Sequence, residues 1–108
     1  MTRRSLYYDR EGKPIDADEW TRRFAQTESL EYRVVQLDEF DDVRVSTVWL
    51  GIDHSHGEGP PLIFETMIFG GPHDGYQARY STEAEARAGH AVAVRRSQIR
   101  AVRTPPKA

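Results

Sequence analysis

Val43-Arg44-Val45-Ser46-Thr47-Val48-Trp49-Leu50-Gly51-Ile52 decides the fold class of this chain. Val43, Val45, Thr47 and Trp49 take one side of an alternating pattern, and Arg44, Ser46, Val48 and Leu50 take the other. That is the two-residue period of an extended strand. Upstream, Leu30, Tyr32 and Val34 alternate with Glu31 and Arg33, which predicts a strand from Leu30 to Leu37. Its phase slips at Val34-Val35, the mark of a bulge or of burial on both sides. The acidic turn Asp38-Glu39-Phe40-Asp41-Asp42 then joins the two strands as an antiparallel hairpin. Downstream, Leu62 to Phe69 reads as a third strand, apolar on both sides except at Glu65 and Thr66. A turn containing Asp74-Gly75 leads into a short last strand, Tyr76 to Tyr80.

Helices flank this run of strands. Asp16 and Glu19 have capping-box spacing, and Ile15 with Trp20 has the spacing of a hydrophobic staple, so a helix is expected from Asp16 to about Gln26. Trp20 and Phe24, four residues apart, share its core side. Before it, Leu6-Tyr7-Tyr8 is a short strand closed by a turn through Gly12 and Pro14. Thr82 and Glu85 form a second capping box, opening an Ala-rich helix that runs through Ala84, Ala88, Ala91 and Val92 toward Arg95 or beyond. Consecutive strands with short links predict an α+β domain: an antiparallel sheet of about four strands with an N-terminal and a C-terminal helix packed on one face. The domain is expected to span residues 1–99. Residues 100–108, with Thr104-Pro105-Pro106, read as a basic flexible tail.

At 108 residues the chain has room for one core. Its net charge of -2 lacks the basic excess of a protein that holds nucleic acid by bulk electrostatics. The base is concentrated at one end, where Arg95, Arg96, Arg100, Arg103 and Lys107 occur with no acid among them. The absence of cysteine excludes disulfides, thiolate catalysis and zinc knuckles. No apolar run approaches the roughly 20 residues that span a bilayer. The basic start Met1–Ser5 is followed by polar residues in place of an apolar segment, so no secretion signal is expected.

Several blocks together resemble a known group. They are Tyr8–Ile15, Val45–His54, Gly59–Phe69 and Tyr80–Ala86, the last followed by Gly89-His90. Over roughly residues 6–92 the chain is similar to an uncharacterised family of short hypothetical proteins encoded by actinobacteria and their phages. The resemblance implies a phage or prophage accessory setting and carries no catalytic residues with it.

Asp53, His54, His56 and Glu58 lie within six residues of one another. Imidazole and carboxylate groups on alternate residues of an extended loop can share one zinc, nickel or manganese ion, and His73 and Asp74 are further candidate ligands. The alternative reading is a polar loop in which Asp53 caps backbone N–H groups. Glu65, on an apolar strand, needs a partner such as Arg44, Arg79 or His90, or else acts as a carboxylic acid with a raised pKa. His90 follows Gly89 in the last helix, where Gly implies a close approach by something else, and it could complete a catalytic group with His54 and Glu65. Trp49, Asp53, His54 and Glu65 are the binding candidates.

Val35, Val48, Leu50, Ile63, Met67 and Phe69 are expected on the sheet face opposite the helices, where they need a cover. The leading expectation is therefore a non-enzymatic phage-type accessory protein that works by protein–protein contact. Its partner is a second copy (a homodimer) or a host or phage protein, met in the bacterial cytoplasm or in the virion. The runner-up is a small metal-binding protein or metal-dependent hydrolase built on the Asp53–Glu58 loop, with a divalent metal as its sole cofactor. A nucleic-acid accessory factor using the Arg-rich end is weaker still.

Overall fold

A computed structural model of the chain describes residues 5–25, 29–55 and 59–103. Four strands form one antiparallel sheet in chain order: β3 (Val34–Phe40), β4 (Val43–Trp49), β5 (Phe64–Phe69) and β6 (Gln77–Tyr80). A two-stranded hairpin, β1 (Tyr7–Tyr8) with β2 (Pro14–Ile15), precedes helix α1 (Ala17–Ala25). A single helical turn, α2 (Ser29–Arg33), leads into β3, and helix α3 (Glu83–Arg103) closes the chain. The architecture is the expected α+β arrangement, and no helix among the described residues is long and apolar enough to cross a membrane.

The box that opens α3 is formed as read, whereas at α1 the Asp16 arm is formed and the Glu19 carboxylate pairs with Arg22 and Arg23. Asp16 Oδ1 accepts from the Glu19 N–H at 2.8 Å. At α3, Thr82 Oγ1 accepts from the Glu85 N–H at 3.1 Å while Glu85 Oε1 accepts from the Thr82 N–H at 3.3 Å, a reciprocal box that satisfies two otherwise orphaned donors. On β4 the alternation is strict, with Val43, Val45, Thr47 and Trp49 all buried.

Three expectations need correction. Residues 30–33 are helical, and the strand begins at Val34. Alternation over four residues does not distinguish a strand from one helical turn, and tertiary contacts decide it here. The Tyr32 ring stands edge-on to Trp49 at 4.9 Å, and its hydroxyl accepts from the Arg10 N–H and from Arg23 Nη1. Second, the acidic stretch is mostly strand. β3 continues through Phe40, and only Asp41 and Asp42 turn, with Asp41 at φ 54°, a left-handed conformation that Asp tolerates. The register does shift between Val34 and Gln36, at the expected slip of phase. Third, α3 continues to Arg103, past the point where a tail was expected; residues 104–108 lie outside the described residues.

Helix α3 packs on one face of the sheet, and α1 reaches the same side through Trp20 and Phe24, which pack against the cluster that holds Trp49. The register stacks the inward side chains in rows: Trp49 beside Phe64, Thr47 beside Thr66, Val45 beside Ile68. The upper row joins Tyr8, Val35, Ile63 and Ala86 in one apolar cluster, against which Trp20, Phe24 and Tyr32 pack. The lower row joins Val43 and Ala93 in another. Helix α3 meets these rows with Ala86, His90, Ala93 and Ser97, a buried seam at helical spacing. The alanines expected to carry that helix, Ala84, Ala88 and Ala91, face outward. Ala on every side erases the amphipathic signal, so the seam was hidden.

Candidate functional site

The middle row on the helix side is polar. Thr47, Thr66 and His90 are each 0% exposed, wedged between the two apolar clusters. Thr47 Oγ1 and Thr66 Oγ1 are 2.5 Å apart, and Thr47 Oγ1 is 2.6 Å from His90 Nδ1. His90 Nε2 is 2.7 Å from Asp38 Oδ2 on β3. A carboxylate only accepts, so Nε2–H donates to Asp38. With a neutral imidazole, Nδ1 then accepts from the Thr47 hydroxyl, which accepts from Thr66. Beyond Thr66 comes the Tyr80 phenol, whose pKa is raised by burial and, less, by Tyr76, against a lowering by its hydrogen bond with Thr66. The buried row Thr66–Thr47–His90 reaches solvent at Asp38, whose side chain is 45% exposed. Every buried polar group in it has a partner, which keeps such a row affordable in an apolar core. Gly89 fits here as well: a Cβ at that position would collide with the Tyr80 hydroxyl and ring. The close approach that Gly89 implied is made by a tyrosine.

An Asp–His–Thr sequence of hydrogen bonds has the chemistry of a hydrolase triad, in which the imidazole takes the hydroxyl proton. Here the Thr47 hydroxyl is sealed beneath α3 and already engaged by Thr66, so no acyl group can reach it. The arrangement holds the helix on the sheet and sets its rotation.

The sequence-derived candidates do not converge. Trp49 is fully buried, its Nε1–H donates to the Tyr8 carbonyl at 3.0 Å, and it cannot meet a ligand. Asp53 Oδ1 accepts from the N–H groups of Ser55 (2.8 Å) and Leu62 (3.0 Å), which is the loop-capping role. The His54 N–H donates to the Leu62 carbonyl at 3.0 Å. His56 and Glu58 lie outside the described residues. His73 and Asp74 follow β5, whereas His54 precedes it, so they sit at opposite ends of a strand about 17 Å long. Asp74 Oδ1 accepts from the Gly70 N–H at 2.7 Å and closes its own turn. Among the described residues no group of three or more His, Asp or Glu side chains is placed to hold a metal ion. Glu65 points to the face opposite His90, and its carboxylate pairs with Arg79 at 3.1 Å and accepts from Gln77. A catalytic group of His54, Glu65 and His90 is therefore not formed.

That opposite face is the second feature of note. Its rows are Val34, Val48, Glu65 and Arg79; then Leu37, Ser46, Met67 and Gln77; then Glu39, Arg44 and Phe69. Leu37 is 49% exposed and Phe69 43%. Glu39 and Arg44 form an ion pair at 3.0 Å at one corner, as Glu65 and Arg79 do at the other. An open concavity of about 550 Å³ lies beside Phe69, between Glu39, Asp41 and Arg44. Val48, Met67 and Phe69 are where the pattern put them, but Val35 and Ile63 belong to the core beneath the helices. The bulge at Val35 turns that side chain inward, and Leu37 takes its place on the open face.

Comparison with known proteins adds nothing to this geometry: no family model, no curated protein and no solved structure matches the chain.

Proposed function

We propose that the chain is a phage or prophage accessory protein that acts by protein–protein contact, without catalysis, through the open face of the β3–β6 sheet. The observation that carries this reading is an apolar centre, Leu37, Val48, Met67 and Phe69, framed by ion pairs and uncovered by any described element. An apolar centre with a polar rim is the usual anatomy of a contact surface. The phage setting rests on the sequence blocks quoted above, and places the contact inside the bacterial host or in the virion. Metal chemistry at the Asp53–Glu58 loop is the runner-up, and no observation in the geometry favours it.

A photo-cross-linking amino acid at position 37 tests the reading in the expressing bacterium, with the same group at position 92 as the control. Val92 is also large, apolar and 43% exposed, but it lies on the outer side of α3. Adducts are expected from position 37 and not from 92. No adduct from position 37, or equal adducts from both, would overturn the assignment of the face.

A further inference from the structure

We infer that the occupant of the open face is a second copy of this chain, stacked sheet on sheet. The inference rests on the reading of that face as a contact surface and names its partner.

The first argument is charge. The four ionised groups in the rows of the face are Glu39, Arg44, Glu65 and Arg79, and they close into two ion pairs within the chain. These rows are thus neutral and carry both signs at opposite corners, with Asp41 and Asp42 at the edge beyond Phe69. A surface of one sign would repel its own copy and select a partner of the other sign. This one meets itself without penalty.

The second argument is size. Three strands of six or seven residues and one of four, about 4.8 Å apart and rising about 3.3 Å per residue, make a patch of about 350 Å². Stacking two such patches about 10 Å apart buries on the order of 1,000 Å² in total, the threshold of a specific interface. The face reaches the size that a dimer of sheets needs.

The third argument is symmetry. A two-fold axis lying between two stacked faces, along the strands or across them, places the central row of one copy over the central row of the other. That row is Leu37, Ser46, Met67 and Gln77, with the two apolar side chains separated by a small one. No charge occurs in it, so self-stacking buries no unpaired ion at the centre. The result is a two-sheet sandwich with α1 and α3 on its outer sides.

Sedimentation equilibrium of the purified full chain at about 100 µM tests this, a concentration high enough to populate an interface at the small end of the specific range. The expected mass is twice 12.4 kDa for the wild type. It falls to the monomer value for Met67→Glu and for Leu37→Asp, while Val92→Glu stays dimeric. Circular dichroism melts establish that each variant is folded, and the two face variants substitute for one another if one is not. A monomeric wild type overturns the inference, as does a dimer that persists in both folded face variants. The cross-linking experiment separates the two readings. Adducts from position 37 whose mass is that of two chains support both. Adducts with a different protein alone sink the homodimer and leave the contact face standing.

Discussion

Ser46 and Thr47 are neighbours on β4, both small hydroxyl residues, and they live under opposite rules. Thr47 is sealed beneath α3, and its oxygen is bonded to Thr66 and to His90. Ser46 sits half-exposed in the central row of the open face. On the helix side the Thr47–Thr66–His90 row is fully paired, because an orphaned donor in that dry layer costs about 1–3 kcal/mol, and Ser97 Oγ is the exception in the α3 seam. On the open side apolar and charged groups mix freely, because water or a partner can satisfy whatever is left over. The same sheet therefore encodes its own helix packing on one side and a contact surface on the other.

The comparison breaks most visibly at His90. His90→Ala leaves a cavity and strands the Thr47 hydroxyl, with an expected loss of about 3 kcal/mol or more in urea unfolding. The combined Thr47→Val, Thr66→Val and His90→Leu variant replaces the polar row with apolar groups of similar size. It is expected to recover to within about 1 kcal/mol of the wild type, since the penalty lies in leaving partners unpaired. If the triple variant is as unstable as His90→Ala, the row is doing something other than satisfying itself.

Gly89→Ala comes next. In a free helix it would gain roughly 1 kcal/mol, but here the new methyl meets the Tyr80 ring and hydroxyl. A net loss of about 1–2 kcal/mol is expected. In Tyr80→Leu the same Gly89→Ala change should cost less, and an equal cost would show that Tyr80 is not the obstacle.

Glu83 ties the N-terminal hairpin to α3. Its pKa is lowered, chiefly by its hydrogen bond with Arg10 and then, against the opposing effect of burial, by Arg87. The Arg10 guanidinium lies 2.8 Å from its carboxylate. A lowered folded-state pKa stabilises above the unfolded value near 4.5 and loses that stabilisation as the pH falls through the folded value. The melting-temperature gap between the wild type and Glu83→Gln should be full at neutral pH and close as the pH falls below 4.5 and through the lowered folded value. A gap unchanged at low pH would mean that the ion pair contributes nothing.

The smallest effect belongs to the open face. Leu37→Ser should change the stability of the dilute, dissociated chain by less than about 1 kcal/mol, because about half of Leu37 already faces solvent in the monomer. A larger loss in dilute urea unfolding would show that Leu37 supports the fold itself.

Much of this was legible beforehand. The period of Val43–Trp49, the two capping boxes and the run of strands with short links determine an α+β domain, because each is a local pattern whose physics needs no distant partner. Glu65 needed a partner, and Arg79 was among those named. What only the tertiary structure decided depends on register. Asp38 looked like a turn residue, and becomes a hydrogen-bond acceptor because pairing with Val45 turns it toward α3. The Leu30–Arg33 stretch alternates like a strand, and is a helical turn because Tyr32 is held against Trp49. His90 and Glu65, both plausible acids or bases in sequence, fall on opposite faces because a two-residue period puts Thr66, one step from Glu65, on the inner side. Patterns within a few residues are read by local sterics, whereas which side chains meet across strands is set by pairing register, a property of the whole sheet.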